Sequence, residues 1–412
     1  MGTKRRHRDP VFVDAEQAID DFRNGHMLIV TDDEDRENEG DLILAADFVT
    51  PEAINFMVTY GRGLVCCPLT EERLERLELP PLPRRHSSRI STAFHAPVDA
   101  VGKTTTGTSA QDRAATVRTL IDPNTHPSDL LQPGHLYTLG ARPGGVLQRA
   151  GHTEATIDLA RLAGLTPAGV LCEILDDDGS MARMPRLMAF AERHGLHLVT
   201  IRTLIEHRLK TENLVRREVE TVLPNRFANW RMIVYVNGIT GEHMEALVIG
   251  EVDDGEPVLT RVHSQCFTGD TLGSLRCDCR PQLEAAMERI AEEGRGVILY
   301  LHQEGRGIGL LNKLRAYHLQ DQGKDTVEAN EALGFKPDLR EYGVGAQVLA
   351  DLGLKKLRLL TNNPKKIIGL DAFGLEVVEQ VPIEVGHTPE NRRYLETKRD
   401  KLGHRLTIRE RE

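Results

Sequence analysis

The sequence contains little cysteine, no long apolar run and fewer basic than acidic residues. Only six of its 412 residues are cysteine, and three of these lie close together, which argues against a disulfide framework and favours a reducing compartment. No segment reaches the roughly eighteen apolar residues that a membrane span needs, and the amino terminus does not resemble a secretory signal. We therefore expect a cytoplasmic protein without a membrane partner.

The charge balance restricts the partners further. A formal net charge of −10 makes the chain a poor ligand for duplex nucleic acid, although local basic pockets could still bind small phosphorylated substrates. Gly102-Lys-Thr104 lacks the upstream glycine of a Walker A motif. Gly305 and Gly307 follow a predicted strand, but the third glycine and the acidic residue of a dinucleotide fingerprint are missing. Nucleotide binding by either of these routes is not supported.

Strand-like and helix-like runs alternate along the chain. This pattern predicts an α/β fold, α+β in part, with two mixed-sheet domains, each a sheet covered by helices. The segment from Glu206 to Val219 is charged and poor in apolar anchors, and we predict a helical linker there. The predicted organisation is a basic tail at 1–9, a first domain at 10–208 and a second domain at 209–412. The strands predicted from apolar runs are Met27–Val30, Leu42–Leu44, Val170–Leu175, His197–Ile201, Arg231–Val236, Glu245–Ile249, Val297–Leu301 and Leu357–Leu360. The predicted helices include Thr153–Leu162 and Leu283–Glu293, closed by Gly164 and Gly294.

An acidic loop is the main feature of the first half. Asp32–Asp41 holds seven carboxylates in ten residues and lies between two apolar runs. A run of charges is most often a solvated turn. In a tight loop of a packed domain, however, like charges repel and a bound cation relieves the repulsion, so we predict a metal site.

Two histidine motifs and a buried glutamate accompany this loop. Pro133-Gly-His135 is predicted to lie in a loop, and Arg149–Thr153 opens a helix whose free N–H groups favour an anion. Glu173 lies within an apolar strand, where a carboxylate is costly without a partner, so it is a candidate acid or base.

These motifs resemble 3,4-dihydroxy-2-butanone 4-phosphate synthase over about residues 10–208. That family converts ribulose 5-phosphate to dihydroxybutanone phosphate and formate with Mg²⁺ or Mn²⁺. The resemblance implies that Glu37 and His152 bind the metal, that His135 and Glu173 transfer protons, and that the protein is a homodimer. The substrate-binding residues that it implies are Arg36, Glu37, Asp41, Arg149, Ala150, Gly151, His152, Thr153 and Glu173. The basic stretch Arg84–Pro97 departs from the family pattern, which leaves open an inactive first domain that serves for dimerisation.

The second half contains the close group of cysteines, Cys266, Cys277 and Cys279. Cys277 and Cys279 are two residues apart, so in an extended segment their thiols point to one side. Three thiolates without an obvious fourth ligand predict a zinc ion with one open position, the arrangement of a catalytic site. The alternative is a closed structural site in which His263 is the fourth ligand.

The cysteine run, together with Asp325–Asn330, Leu333–Arg340 and Leu359–Lys366, resembles GTP cyclohydrolase II over about residues 220–410. The whole chain thus resembles the bifunctional family of riboflavin biosynthesis. The resemblance implies that the three cysteines bind zinc and that Mg²⁺ binds together with GTP. The GTP contacts that it implies are Arg261, Val262, His263, Ser264, Gln265, Gln282, Glu304, Gly305, Arg306, Thr326, Thr361 and Lys366.

The same resemblance assigns three catalytic roles in the second half. Asp338 is the implied proton acceptor, and Arg340 is the implied nucleophile toward the α-phosphate. Because a guanidinium is a poor nucleophile without a neighbouring base, an electrostatic clamp on pyrophosphate is the alternative role of Arg340. Tyr317 would complete deformylation, or would be a core tyrosine of an amphipathic helix. An alternative to an enzyme is a binding module that is stabilised by zinc and senses guanine nucleotides.

Overall fold

The computed structural model describes residues 11–33, 36–83, 92–335, 343–364 and 370–407. The chain divides into two compact units, Met1–Arg208 and Leu209–Glu412. The predicted basic tail at 1–9 lies outside the described residues. No helix in the described ranges is long and apolar enough to cross a membrane.

The first unit is built on a mixed sheet. Its strands are β1 (Leu28–Thr31), β2 (Gly40–Ala45), β3 (Cys66–Thr70), β4 (Ala93–Phe94), β5 (Val98–Ala100), β6 (Leu130–Ala141), β7 (Gly169–Glu173) and β8 (His197–Thr200). Within the described residues their order is β4-β6-β3-β7-β2-β1-β8, and β5 pairs with β6. β1 pairs with β8 in parallel and with β2 in the antiparallel sense.

Helices cover both faces of this sheet. They are α1 (Ala15–Arg23), α2 (Pro51–Phe56), α3 (Glu71–Arg76), α4 (Ala110–Ile121), α5 (His152–Leu162), α6 (Met184–His194) and α7 (Ile201–Thr211). Alternate residues of a strand point to opposite faces. Ile29 and Leu42 accordingly pack with α2, α4 and α6, whereas Leu28 and Ile43 pack with α1, α5 and α7.

The second unit is built on another mixed sheet, whose strand order is β15-β14-β12-β13-β11-β10-β9. The strands are β9 (Val215–Pro224), β10 (Asn229–Asn237), β11 (His243–Ile249), β12 (Val258–Ser264), β13 (Gly296–Leu301), β14 (Lys356–Leu360) and β15 (Glu376–Val381). The helices are α8 (Cys279–Glu293), α9 (Gly309–Asp321), α10 (Thr326–Ala332), α11 (Gly343–Asp351) and α12 (Arg392–Asp400). α8 packs on one face of the sheet and α11 on the other.

The parallel strands of the second unit bring three loops to one edge. β12, β13 and β14 are parallel neighbours, so their carboxyl ends meet at the same side of the sheet. The segments that follow them begin at Gln265, His302 and Thr361. Ligands of open α/β sheets bind at this kind of edge.

The predicted strands and helices are confirmed, with shifts of a few residues at their ends. Two local predictions were wrong. Pro133–His135 lies within β6 rather than in a loop, as the irregular stretch between Leu131 and Leu136, which both pair with β5. The segment Glu206–Val219 is not one helical linker, since α7 ends at Thr211 and β9 begins at Val215 as the outer strand of the second sheet.

Candidate active sites

The acidic loop of the first unit is organised by one carboxylate. Asp32 is buried where β1 ends, and its two oxygens accept hydrogen bonds from the backbone N–H groups of Glu37 (3.0 Å) and Glu39 (2.8 Å). Arg36 donates to Asp32 at 2.8 Å and to Glu37 at 2.7 Å. Arg36, Glu37 and Glu39 are therefore held by Asp32, whereas Glu34 and Asp35 lie outside the described residues.

Three of the predicted residues converge beside this loop. His152 is the first residue of α5, and its Nδ1 lies 4.0 Å from Glu37 Oε2 and 3.8 Å from Asp41 Oδ2. Asp41 lies directly opposite Glu173 in the antiparallel pair of β2 and β7. Sequence positions more than a hundred residues apart are thus brought to one end of the sheet.

The electrostatics of this group favour a cation. Burial, followed by the charges of Glu173 and the loop glutamates, raises the pKa of Asp41 well above its usual range. Burial lowers the pKa of His152 to about 4, so its imidazole is neutral at neutral pH. Within the described part of the chain, neither Asp41 Oδ1 nor His152 Nε2 has a hydrogen-bond partner, although both atoms are buried. A neutral imidazole and several carboxylates are suitable ligands for Mg²⁺ or Mn²⁺.

The start of α5 holds the predicted phosphate-binding residues. Arg149 Nη1 lies 2.5 Å from Glu154 Oε2, and Arg149 Nη2 donates to Thr92 at 2.9 Å. Gly151 is the N-cap of α5, and Thr153 is buried in its first turn. The ion pair holds the guanidinium beside the free N–H groups of the helix, where an anion is favoured.

Glu173 and His135, the predicted proton-transfer residues, have separate surroundings. Glu173 ends β7, and its Oε2 accepts a hydrogen bond of 2.8 Å from the backbone N–H of Leu64. His135 lies on β6, with Nδ1 2.7 Å from Asp99 Oδ2 and its backbone N–H donating to Asp99 Oδ1. Asp99 is buried while the His135 side chain is 51% exposed, so the buried carboxylate orients an accessible imidazole.

The three cysteines of the second unit form a compact group. Cys266 follows β12, Cys277 precedes α8 and Cys279 begins it, and their Sγ atoms all lie within 4.8 Å of one another. The described residues contain no other group of three or more acidic, histidine or cysteine side chains that meets this distance. Three convergent sulfur ligands fit Zn²⁺ or another thiophilic ion.

A buried lysine lies against this group. Lys313 on α9 donates to Cys266 Sγ at 3.0 Å and to Glu304 Oε1 at 2.7 Å. Hydrogen bonds from Cys277 and Cys279, followed by the charge of Lys313, lower the pKa of the Cys266 thiol. At Cys266 the surroundings thus favour the thiolate, which is the form that binds metal.

His263 is held away from the cysteines by a carboxylate. Its Nε2 lies 3.2 Å from both oxygens of Asp270, which also accepts hydrogen bonds from Tyr300 Oη (2.9 Å) and the backbone N–H of Cys266 (2.9 Å). This geometry disfavours the closed site in which His263 is the fourth ligand.

The cysteine group forms part of the wall of a cavity that is open to solvent. The predicted GTP contacts that line this cavity are Arg261, His263, Ser264, Gln265, Gln282, Glu304, Gly305, Arg306, Thr326 and Thr361. Val262 points into the core instead, because it alternates with its neighbours along β12. Lys366, Asp338 and Arg340 lie outside the described residues.

Two predicted residues of the cavity have notable local geometry. Tyr317 Oη lies 3.3 Å from Thr268 Oγ1, and the Arg276 guanidinium lies 5.0 Å from the Tyr317 ring centroid. Arg306 has a φ of +63°, an unusual conformation for a residue with a side chain. Backbone strain of this kind concentrates at functional sites.

Sequence reasoning missed several residues of the cavity. Lys313, Tyr394, Lys398 and His404 line it and were not predicted as contacts. No spacing rule connects Lys398 to Cys277, since more than a hundred residues separate them. Lys313 lies in the helix that carries Tyr317, four residues earlier, so helical periodicity places both on one face.

Comparisons with known proteins agree with the division into two units. Residues 16–207 match the family model of 3,4-dihydroxy-2-butanone 4-phosphate synthase, and residues 216–382 match that of GTP cyclohydrolase II. The riboflavin biosynthesis protein RibBA of Aquifex aeolicus (strain VF5) is 57% identical over 396 residues, which cover 95% of this chain and 98% of that protein. RibBA of Bacillus mycoides (strain KBAB4) is 55% identical, with 95% and 99% coverage.

A solved structure is also similar. It is RibBX from A. baumannii, described as a two-domain 3,4-dihydroxy-2-butanone 4-phosphate synthase, with a TM-score of 0.71 and 37% identity. The match covers 90% of this chain and 100% of that one.

Proposed function

Because this chain belongs to the family of bifunctional riboflavin biosynthesis proteins, which join 3,4-dihydroxy-2-butanone 4-phosphate synthase to GTP cyclohydrolase II, we propose that each unit carries its own metal-assisted site. The first unit converts D-ribulose 5-phosphate to L-3,4-dihydroxy-2-butanone 4-phosphate and formate. The second hydrolyses GTP to 2,5-diamino-6-ribosylamino-4(3H)-pyrimidinone 5′-phosphate, formate and diphosphate.

In the first site, Glu37 and His152 would hold Mg²⁺ or Mn²⁺. The buried His152 Nε2 and Asp41 Oδ1, for which the described ranges of the chain provide no hydrogen-bond partner, fit this role. When bound, the cation supplies positive charge that stabilises an enediolate. Arg149, with Ala150, Gly151 and Thr153 at the start of α5, would bind the phosphate, and Arg36 and Asp41 would contact the sugar.

Glu173 and His135 would move the protons of the rearrangement. The hydrogen bond from Leu64 leaves the second carboxylate oxygen of Glu173 for a substrate C–H or O–H. The hydrogen bond that Nδ1 of His135 donates to Asp99 leaves Nε2 of His135 for the substrate. A positioned base close to the substrate is the requirement for enolisation.

We propose that the protein is a homodimer and that His135 serves the site of the partner subunit. The half-exposed His135 contacts Asp99 rather than the Glu37 group, which supports this arrangement. The test mixes two inactive variants, His135→Ala and Glu173→Gln, after partial unfolding and reassembly. If the sites are shared, turnover should recover toward one quarter of the wild-type value. Half of the dimers are mixed, and one of the two sites in each mixed dimer is intact. No recovery would contradict shared sites.

In the second site, Cys266, Cys277 and Cys279 would hold Zn²⁺. When bound, zinc supplies Lewis acidity that lowers the pKa of water toward neutrality. The predicted contacts that line the cavity would bind GTP, with Mg²⁺ as a companion of its phosphates. Val262 would contribute its backbone alone, and Lys366 would add a positive charge.

Three residues would act on GTP beside the zinc site. Asp338 would accept a proton, and Arg340 would attack or clamp the α-phosphate, as the resemblance implies. Tyr317 would serve deformylation, and its position on the cavity wall next to Thr268 supports this role. A reducing compartment such as the cytoplasm suits a site built on three thiols, and all the cysteines are free.

The convergence of three thiols at the wall of the cavity carries the proposal for the second unit. Cys277→Ser is expected to abolish GTP ring opening while ribulose 5-phosphate turnover continues. Glu37→Ala is expected to give the opposite result. Assays of formate release from each substrate, with the metal content of each variant, provide the test. Loss of both activities in either variant would contradict separate sites.

The geometry does not favour the two other candidate functions. An inactive first domain would not need His152 Nε2 and Asp41 Oδ1, two buried atoms that have no hydrogen-bond partner among the described residues. A sensor of guanine nucleotides would bind GTP without releasing formate, so the same assay distinguishes it.

A further inference from the structure

Helix α12 lies beyond residue 382, where the family match ends, yet it contributes to the cavity of the second unit. Tyr394 and Lys398 project from this helix, and both line the cavity. The Lys398 amine lies 4.7 Å from the centroid of the Tyr394 ring, and the Arg306 guanidinium lies 6.0 Å from it on the cavity wall. The helix therefore adds an aromatic face between two cations.

Lys398 forms an ion pair with the residue between two of the cysteines. Its Nζ lies 2.7 Å from Asp278 Oδ1, and the two side chains are only 10% and 2% exposed. Asp278 stands between Cys277 and Cys279 in the chain, so its carboxylate adds negative charge next to two of the proposed zinc ligands. An unpaired charge that is buried in this way is strongly unfavourable. Lys398 supplies the compensating charge.

The ion pair continues into the proposed nucleotide contacts. Gln282 Nε2 donates to Asp278 Oδ2 at 2.6 Å, and Gln282 Oε1 accepts from Arg261 Nη2 at 2.6 Å. Arg261 Nη1 donates to the carbonyl oxygen of Leu360 at 2.7 Å. These atoms form an unbroken chain of buried hydrogen bonds from α12 across the start of α8 to the end of β14.

α12 is fixed in place independently of Lys398. Leu395 is 1% exposed in the core, and Lys401 pairs with Asp325 and Glu328 at the start of α10. The backbone N–H of Arg405, beyond the helix, donates to Asn362 O at 2.9 Å. A change at Lys398 would therefore leave the helix attached.

We infer that α12 is a working part of the GTP site and that Lys398 is a positioning residue, which acts through Asp278 and Gln282 to hold Arg261 for the nucleotide. This inference rests on the proposed nucleotide site. Because Lys398 acts through other groups, its removal should weaken GTP binding and turnover without removing the zinc ligands.

The experiment compares Lys398→Met, Lys398→Arg and the matched control Arg399→Met in the full-length protein. Arg399 is an exposed neighbour whose side chain pairs with Asp400. GTP kcat and KM per bound zinc are measured, with ribulose 5-phosphate turnover as a reference within the same molecule. We expect Lys398→Met to lower kcat/KM for GTP by roughly 10–100-fold, Lys398→Arg to recover most of it, and Arg399→Met to match the wild type.

A second measurement tests the route through Asp278. Asp278→Asn removes the charge that Lys398 compensates. The double variant with Lys398→Met and Asp278→Asn should therefore lose less kcat/KM for GTP than the product of the losses in the two single variants. Independent, multiplicative losses would overturn the inference, as would wild-type GTP kinetics in Lys398→Met. If Lys398→Met does not accumulate as folded protein, Lys398→Gln takes its place, with the same expected direction. Failure of the wild type to release formate from GTP would instead overturn the nucleotide site itself.

Discussion

Among single residues, His152 shows most clearly how burial controls charge. Its pKa is lowered to about 4 by burial, whereas an unfolded histidine titrates near 6.5. Between these values the unfolded chain binds more protons, so the stability of the metal-free first unit should fall as the pH drops from 6.5 toward 4. The expected loss between pH 7.5 and 5 is about 2 kcal/mol.

Hydrogen exchange of the α5 amides in metal-free protein would measure this loss. The same measurement on His152→Gln provides the control, because glutamine does not titrate. The wild type should lose about 2 kcal/mol more than the variant across this range. Parallel pH profiles for the two proteins would contradict the assignment.

Three of the six cysteines, Cys66, Cys67 and Cys172, lie in the core of the first unit. Burial raises the pKa of Cys67 and of Cys172 to about 12, and the pKa of Cys66 is also raised by burial. At pH 8 the thiolate fractions of Cys67 and Cys172 are on the order of 10⁻⁴, and that of Cys66 is also small, so iodoacetamide should leave all three unmodified in the native protein. In protein stripped of metal, peptide mass spectrometry should find Cys266 alkylated first, because its pKa is lowered whereas the pKa values of Cys277 and Cys279 are raised. Labelling of Cys172 in native protein would contradict this assignment.

Some site residues could be predicted and others could not, for a physical reason. Glu37, His152 and the cysteines lie in short motifs whose residue types already indicate a metal. Asp99, which orients His135, and Lys398, which pairs with Asp278, are ordinary charged residues in sequence. They gain a role only through partners that the fold brings from 36 and 120 positions away. Residue-level chemistry that depends on distant partners is not visible in a local pattern.

Among the elements, the single helical turn Phe267–Thr271 determines the space around the cysteines. A Cβ added to Gly269 would lie 2.8 Å from Cys277 Sγ and 3.0 Å from Cys266 Sγ. The φ of Gly269 is outside the left-handed region, so a substitution there would cause steric overlap but no backbone strain. Gly269→Ala should therefore weaken zinc binding by roughly 10–100-fold, measured by competition with a chromophoric chelator.

Gly238→Ala is the matched control, because its Cβ would meet only Leu214 O at an ordinary 3.6 Å. It should bind zinc as the wild type does. Equal affinities for both variants would show that the helical turn does not confine the thiols.

The elements that sequence predicted correctly are those with continuous apolar runs. β13, for example, is buried along nearly its whole length, so its run of apolar residues directly indicates a buried strand. β9 was missed because its pattern is polar, and most of it is exposed on the edge of its sheet. β6 was missed because Pro133 and Gly134 interrupt its apolar pattern. The strand structure of β6 comes from hydrogen bonding to β3 and β5, and that of β9 from hydrogen bonding to β10, which a local pattern does not reveal.

At the scale of the whole molecule, each unit has its own core and its own proposed metal. Trp230, the single tryptophan, is fully buried in the second unit, so its fluorescence reports the unfolding of that unit. A zinc-selective chelator, with Mg²⁺ kept in excess, should lower the temperature of that transition. A zinc concentration of 100 times the dissociation constant contributes about 2.7 kcal/mol to stability.

Ribulose 5-phosphate turnover, measured after the same heating, reports how much of the first unit remains folded. The chelator should not change this turnover. Cys277→Ser should make the fluorescence transition insensitive to chelation. A chelator that inactivates both units together would contradict their separate dependence on metal.

The left-handed backbone of Arg306 has an evolutionary consequence. Glycine adopts a φ of +63° without strain, whereas arginine pays roughly 1–3 kcal/mol for it. A laboratory selection for heat tolerance alone would therefore tend to replace this arginine by glycine and discard its guanidinium from the cavity wall. Resistance to heat and a cation on the cavity wall are thus opposing demands at this position, and this chain carries the arginine.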